Sequence, residues 1–170
     1  MKKLNSFLLA LMLLSTTHLS AQDFRVPAGQ IKLKEDYAEY EKDIIAADKW
    51  LVATPFNEQK ERREQVNGFI KQWVDGSPTV NCELNPTIFD FETKNPGMLY
   101  LFMGGCARFV LENNYSKDMR AKHKAALMDM ITVYKAGKGI KKDKKMEKLI
   151  KAQEEGKMDD WLGDNLKVGK

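Results

Sequence analysis

Residues Met98–Glu112 read MLYLFMGGCARFVLE, and Arg108 is the only charged residue before the terminal Glu112. Apolar residues fall on every face of this stretch, whereas a surface helix carries them on one face. We therefore expect residues 98–111 to form a buried helix at the centre of a bundle. Gly104-Gly105 costs a helix about 1 kcal/mol each relative to alanine, so we expect a neighbouring helix to approach closely there and offset the cost.

Apolar periodicities on both sides of this stretch predict four more helices. They cover residues 34–53, 54–75, 116–136 and 142–155. Thr54 followed by Pro55 matches a helix cap and a first helical position, and Ser116 is the expected cap of the helix that follows the central one. Gly137 should end that helix, because glycine readily adopts the left-handed conformation found after helix ends.

Residues 77–94 contain two prolines and no helical period of useful length, which indicates a long structured connection that includes Cys82. The sequence therefore predicts an all-α, single-domain bundle of four to five helices around one central apolar helix. We expect the domain to cover residues 34–170, preceded by a flexible segment at residues 22–33.

The N-terminus has the three parts of a secretory signal peptide. Lys2 and Lys3 precede the apolar run FLLALMLL at residues 7–14, and small residues end at Ala21. The run is shorter than the roughly 20 residues of a membrane span, which disfavours the alternative of a retained anchor. We expect cleavage of residues 1–21 and a periplasmic or extracellular protein, whose formal charge falls from +4 to +2 because two lysines and no acids are removed.

The chain lacks the patterns of common catalytic and cofactor sites. His123 is the only histidine after position 21, and the cysteines have no CxxC spacing, so we expect no metal site. No GxxxxGK[ST] or GxGxxG loop is present, so we expect no nucleotide cofactor. Ser77 and Ser116 are explained as a turn and a helix cap, and we assign no catalytic residue.

Two cysteines, Cys82 and Cys106, remain in an exported chain, which favours a disulfide between the connection and the central helix. Such a bond closes a loop of about 25 residues and stabilises by roughly 3.5 kcal/mol in the chain-entropy model. Two buried free thiols are the alternative. A catalytic pair of Cys106 and His123 is disfavoured, since an apolar environment raises the pKa of a thiol.

Charge is distributed unevenly along the chain. Residues 117–151 carry twelve Lys/Arg against four Asp/Glu, whereas residues 34–64 carry six against nine. The lysine-rich part lacks aromatic residues between 138 and 151, which argues against nucleic acid as a partner. The residues we assign to ligand binding are the lysines Lys141, Lys142, Lys144, Lys145 and Lys148. A solvated lysine face with no ligand is the alternative.

Because the residue sets of common chemistries are missing, we expect a non-catalytic binding or interaction module with no cofactor. The sequence does not identify its ligand; an anionic surface, an acidic glycan or an envelope protein fits the lysines. The alternative function is a carboxylate-dependent hydrolase of the cell envelope. Asp90 and Glu92 would carry that reaction, since strand alternation would place them on one face.

Overall fold

The computed structural model describes residues 23–29, 31 and 33–167, and all regular structure in that part of the chain is helical. The eight helices are α1 (Asp36–Glu39), α2 (Glu41–Ala53), α3 (Lys60–Gly76), α4 (Pro86–Lys94), α5 (Met98–Glu112), α6 (Met119–Ala136), α7 (Lys144–Glu154) and α8 (Met158–Asn165). The predicted all-α single domain is confirmed. The predicted number of four to five helices is wrong.

Helix α5 is the centre of the domain, as its sequence predicts. It contacts α2, α3, α4 and α6, and Leu101 and Phe102 are completely buried. Burying a side chain of this size contributes about 1.5–3 kcal/mol. The helix thus organises the core because it offers an apolar surface in every direction.

The two glycines of α5 make room for two different neighbours. A Cβ at Gly105 would lie 2.6 Å from the Cα of Ala126, so α6 approaches the α5 backbone closely there. A Cβ at Gly104 would lie 2.5 Å from Oδ1 of Asp48, a residue of α2. The predicted close approach is therefore present at Gly105, while Gly104 accommodates a buried carboxylate.

The second helix begins later than predicted. Helix α3 starts at Lys60, and residues 54–59 form a turn over the buried side chain of Arg63. Nη2 of Arg63 donates to the backbone carbonyl of Thr54 at 2.6 Å. If the helix started at Thr54, this carbonyl would no longer be positioned to accept from Arg63, and a buried donor without an acceptor is costly. The contact with Arg63 therefore determines where α3 begins, and the Thr54-Pro55 pattern does not.

The other differences also concern helix ends and short helices. Asp118, and not Ser116, caps α6, since its side chain accepts the N–H of Ala121 at 3.0 Å. Part of the predicted connection at 77–94 folds into α4, with Asn85 as the cap. The unpredicted α8 packs against α6 and α7 and buries Leu162.

The expected signal peptide at residues 1–21 lies outside the described residues. Within the segment expected to be flexible, Phe24 is 9% exposed and its ring centroid lies 6.3 Å from that of Phe69. In the part of the chain that the structure describes, no helix has the length and apolar character needed to cross a bilayer.

Candidate anion-binding site

An open cleft of about 570 Å³ lies between the C-terminal half of α4 and the start of α7. Its lining consists mainly of charged side chains: Asp90, Thr93, Lys94, Lys142, Asp143, Lys144, Lys145 and Glu147. We call this feature the lysine cleft. Its volume is in the range of small-ligand sites, which span about 300–1,000 Å³.

One buried asparagine holds the two walls of the lysine cleft together. The side chain of Asn95, which follows α4, donates to the backbone carbonyl of Lys141 at 3.0 Å and accepts the N–H of Lys141 at 2.7 Å. Asn95 is 3% exposed. Asn95 thus fixes the end of α4 beside the segment that leads into α7.

The start of α7 is fixed by a second set of bonds. Asp143 caps the helix by accepting the N–H of Lys145 at 2.8 Å, and its own N–H is accepted by the hydroxyl of Tyr134 at 2.8 Å. The carboxylate of Asp143 is therefore occupied and nearly buried. The N-terminal end of α7, which carries partial positive charge, consequently has a defined place at the cleft.

The charges of the lysine cleft are unequally paired. Lys145 forms an ion pair with Asp90 across the cleft. Lys94, Lys142 and Lys144 are exposed and have no ion-pair partner among the residues that the structure describes. The lining holds four lysines against three acids (Asp90, Asp143 and Glu147), which is a formal excess of one positive charge. The cleft therefore has an excess of positive charge that the protein itself does not neutralise.

The structure separates the five lysines selected from the sequence. Lys142, Lys144 and Lys145 line the cleft, whereas Lys141 and Lys148 are exposed outside its lining. Sequence reasoning missed Lys94, because residues 77–94 were interpreted as a connection. Lys94 follows a short apolar pattern, and basic residues are favourable at the C-terminal end of a helix. This position was the signal in the sequence that could have indicated a helix ending at Lys94.

The two carboxylates expected for a hydrolase are placed differently from the prediction. Asp90 and Glu92 lie on a helix, α4, where residues two positions apart do not share a face. The strand alternation on which their pairing was based is therefore wrong. Glu92 instead accepts the N–H groups of Gly97 at 2.8 Å and Leu99 at 2.9 Å, so its carboxylate caps the start of α5.

A buried ionic cluster joins α5 to α2 and α6. Arg108 donates from Nε to Asp48 at 2.6 Å and from Nη2 to Asp129 at 2.6 Å. Burial, and after it the nearby Asp129, raise the pKa of Asp48 to about 7 against the opposing effect of Arg108. We call Asp48, Arg108 and Asp129 the buried cluster.

The cysteines are both free thiols in this structure, so the expected disulfide is not formed in it. Burial raises the pKa of the Cys106 thiol well above its usual value, and the neighbouring Cys82 thiol raises it further. His123 is buried, with its ring centroid 5.3 Å from that of Phe102. Burial lowers the pKa of His123, which keeps the imidazole neutral at pH 7.

Within the described residues, no three histidine, cysteine or acidic side chains are grouped so that they could hold a metal ion. Comparison of the chain with protein-family models, with curated proteins and with solved structures gave no significant match. Any statement on function therefore depends on the residues themselves.

Proposed function

We propose that this protein is a non-catalytic binding module whose lysine cleft holds an acidic oligosaccharide segment. The observation that carries the proposal is the convergence of Lys94, Lys142 and Lys144, none of which has an ion-pair partner within the described chain, on one concave site. Unpaired lysines attract anions, and concave walls strengthen that attraction by focusing the field.

The shape of the site favours a glycan chain over a membrane surface. A bilayer is flat on the scale of the domain and would contact the rims of a cleft, whereas an extended acidic sugar chain can enter it. Acidic glycans also occur in the periplasmic or extracellular space, which is the location that we propose for the protein from its N-terminal sequence.

The proposal is tested with two soluble polyanions, a dextran sulfate oligosaccharide and an oligogalacturonate, and with uncharged dextran as the reference ligand. We expect binding of at least one polyanion at low salt and none of dextran. Affinity should fall steeply as salt rises, because charges in an open cleft are screened over about 8 Å at physiological ionic strength.

The decisive variant replaces the three unpaired cleft lysines together, as Lys94→Gln, Lys142→Gln and Lys144→Gln. At about 0.5 kcal/mol for each exposed charge contact, we expect roughly tenfold weaker binding. A matched control replaces three exposed lysines outside the cleft that also lack an ion-pair partner within the described chain: Lys34, Lys42 and Lys60. Both triple variants change net charge equally, so only an effect of position can separate them.

Equal weakening in the two triple variants would contradict the proposal, as would absence of polyanion binding at low salt. Binding to phosphatidylglycerol vesicles without binding to either oligosaccharide would replace the glycan by a lipid surface. The alternative of an envelope hydrolase using Asp90 and Glu92 has less support, because both carboxylates are engaged, with Lys145 and with the start of α5.

A further inference from the structure

Two contacts of different character join the walls of the lysine cleft. The buried contact is the pair of hydrogen bonds between Asn95, which is 3% exposed, and the backbone of Lys141. The exposed contact is the ion pair between Asp90 of α4 and Lys145 of α7, whose side chains are 47% and 56% exposed. Buried hydrogen bonds are costly to break, whereas an exposed ion pair contributes little to stability. The ion pair can therefore open while the two walls stay in place.

Asp90 brings a negative charge into a site that attracts anions. It lies one helical turn before Lys94 on α4, and residues four positions apart share a face of a helix. Its carboxylate crosses the cleft to Nζ of Lys145. The protein itself thus supplies Lys145 with the kind of anionic group that an acidic ligand would offer.

Glu147 provides a comparison within the same lining. It lies three positions after Lys144 on α7, so it also neighbours a cleft lysine on its own helix. Glu147 has no ion-pair partner within the described chain. Among the described acids of the lining, only Asp90 forms an ion pair with a lysine of the opposite wall.

We propose that Asp90 withholds Lys145 from the ligand and thereby limits the affinity of the lysine cleft for acidic glycans. This inference rests on the proposed function, because it concerns the regulation of the same site. A carboxylate attached to the protein is present beside Lys145 at a high effective concentration, so a ligand group must compete with it. Removal of the Asp90 charge releases Lys145 as a fourth lysine for the ligand.

Two other roles of Asp90 lead to different expectations. A carboxylate that only repels anions would weaken binding by the same factor whether or not Lys145 is present. A carboxylate that orients Lys145 toward the ligand would strengthen binding, and its removal would weaken binding. A double-mutant cycle over the two positions separates these roles from the one proposed, because it measures how far the two side chains depend on each other.

The experiment measures the affinity for labelled oligogalacturonate and for a labelled dextran sulfate oligosaccharide at low salt. The proteins are wild type, Asp90→Asn, Lys145→Gln and the double variant. We expect Asp90→Asn to tighten polyanion binding about fivefold when Lys145 is present, which is the upper range for an exposed ion pair. In the Lys145→Gln background, the same change should tighten binding by no more than about twofold, since no lysine is released.

Glu147→Gln is the matched control, because it removes the same charge from the same lining without releasing a lysine of the opposite wall. Its effect on affinity should agree within about 1.5-fold between the Lys145 and Lys145→Gln backgrounds. The side chains of Asp90, Lys145 and Glu147 are exposed, so all variants should keep the fold, which thermal denaturation checks.

Equal factors for Asp90→Asn in the two Lys145 backgrounds would overturn this inference and leave the proposed function intact. Weaker binding by Asp90→Asn than by wild type would overturn it too, since Asp90 would then orient Lys145. Absence of polyanion binding in every variant would overturn both the inference and the proposed function. Binding by Asp90→Asn without binding by wild type would support the withheld lysine and refute glycan binding by the wild-type cleft.

Discussion

Two charged regions of this molecule use basic side chains in opposite ways. In the buried cluster, Arg108 is shared between Asp48 and Asp129 at hydrogen-bonding distance, in the contact of three helices. In the lysine cleft, Lys94, Lys142 and Lys144 point toward solvent with no ion-pair partner within the described chain. Every charged group of the first region has an opposite charge at hydrogen-bonding distance, whereas three lysines of the second region have none within the described chain.

The difference separates charges that specify the fold from charges that are available to a ligand. A buried pair must remain satisfied because an isolated buried ion is costly, so the buried cluster fixes how α2, α5 and α6 meet. Exposed lysines contribute little to stability and can be exchanged without loss of the fold. Mutations in the two regions should therefore affect different measurements.

The largest effect is expected for Arg108→Met. Removal of the guanidinium leaves Asp48 and Asp129 buried without a counter-ion, which should lower the free energy of unfolding by about 3–5 kcal/mol. Urea denaturation measures this change. Lys49→Met is the control, since Lys49 forms an exposed ion pair with Glu112 of the same neighbourhood. A similar, small loss in both variants would show that the buried cluster does not hold the helices together.

A somewhat smaller effect is expected at the helix contact itself. Gly105→Ala would place a Cβ 2.6 Å from the α6 backbone, so the helices must separate, at about 1–3 kcal/mol. Gly68→Ala is the matched change in α3, where a Cβ meets nothing within 4 Å. It should raise stability by up to about 1 kcal/mol, because alanine favours helix. Thermal denaturation of the two variants should therefore give shifts of opposite sign.

The pH dependence of stability tests the buried cluster without breaking it. The pKa of Asp48 is about 7 in the folded protein against an ordinary value of 3.8, so the folded state binds more protons between these values. The contribution of Asp48 to the free energy of unfolding must then fall as pH rises through this range. Asp48→Asn removes that contribution, so its stability relative to wild type should increase from pH 5 to pH 8.

The comparison with Asp48→Asn is needed because His123 acts in the opposite direction. Burial lowers the pKa of His123, so its contribution to stability falls as pH drops below the unfolded value of 6.5. Since His123 is present in both proteins, its effect cancels in the difference. A wild-type-to-variant difference that is constant across this pH range would show that Asp48 titrates normally in the folded protein.

The smallest change in stability is expected in the lysine cleft. Replacing Lys94, Lys142 and Lys144 with glutamine should alter the free energy of unfolding by no more than about 0.5 kcal/mol at each position, because the side chains are exposed. Urea denaturation of the triple variant measures this directly. A larger loss would mean that these lysines support the fold, and would remove the contrast with the buried cluster.

The central helix could be predicted because its signal is local. Apolar residues on all faces of α5 require burial whatever surrounds them, and Gly105 implies a close neighbour without saying which helix it is. Helix starts were harder, because caps compete with tertiary contacts. Thr54 looks like a cap in sequence, but its carbonyl binds Arg63, which is nine positions away.

The candidate site was only partly visible for the same reason. The lysines of the α7 region stand out as a cluster in sequence, so three of the cleft residues could be selected. Lys94 could not be selected, because its segment meets the α7 region only through the contact of Asn95 with Lys141, which are 46 residues apart. No local sequence pattern indicates such a contact. Likewise, the sequence shows Arg108 only as a single charge in an apolar helix. Its two carboxylate partners lie on α2 and α6, and only the structure identifies them.

The central claim is that the lysine cleft, and not the protein's overall charge, binds an acidic glycan. An ¹⁵N-labelled protein titrated with the tighter-binding of the two soluble polyanions tests it most directly, with amide chemical shifts as the readout. We predict saturable shifts concentrated at residues 93–94 and 142–145, with little change around Lys34, Lys42 and Lys60. Shifts distributed over all exposed lysines, or confined to a surface away from these two segments, would contradict it.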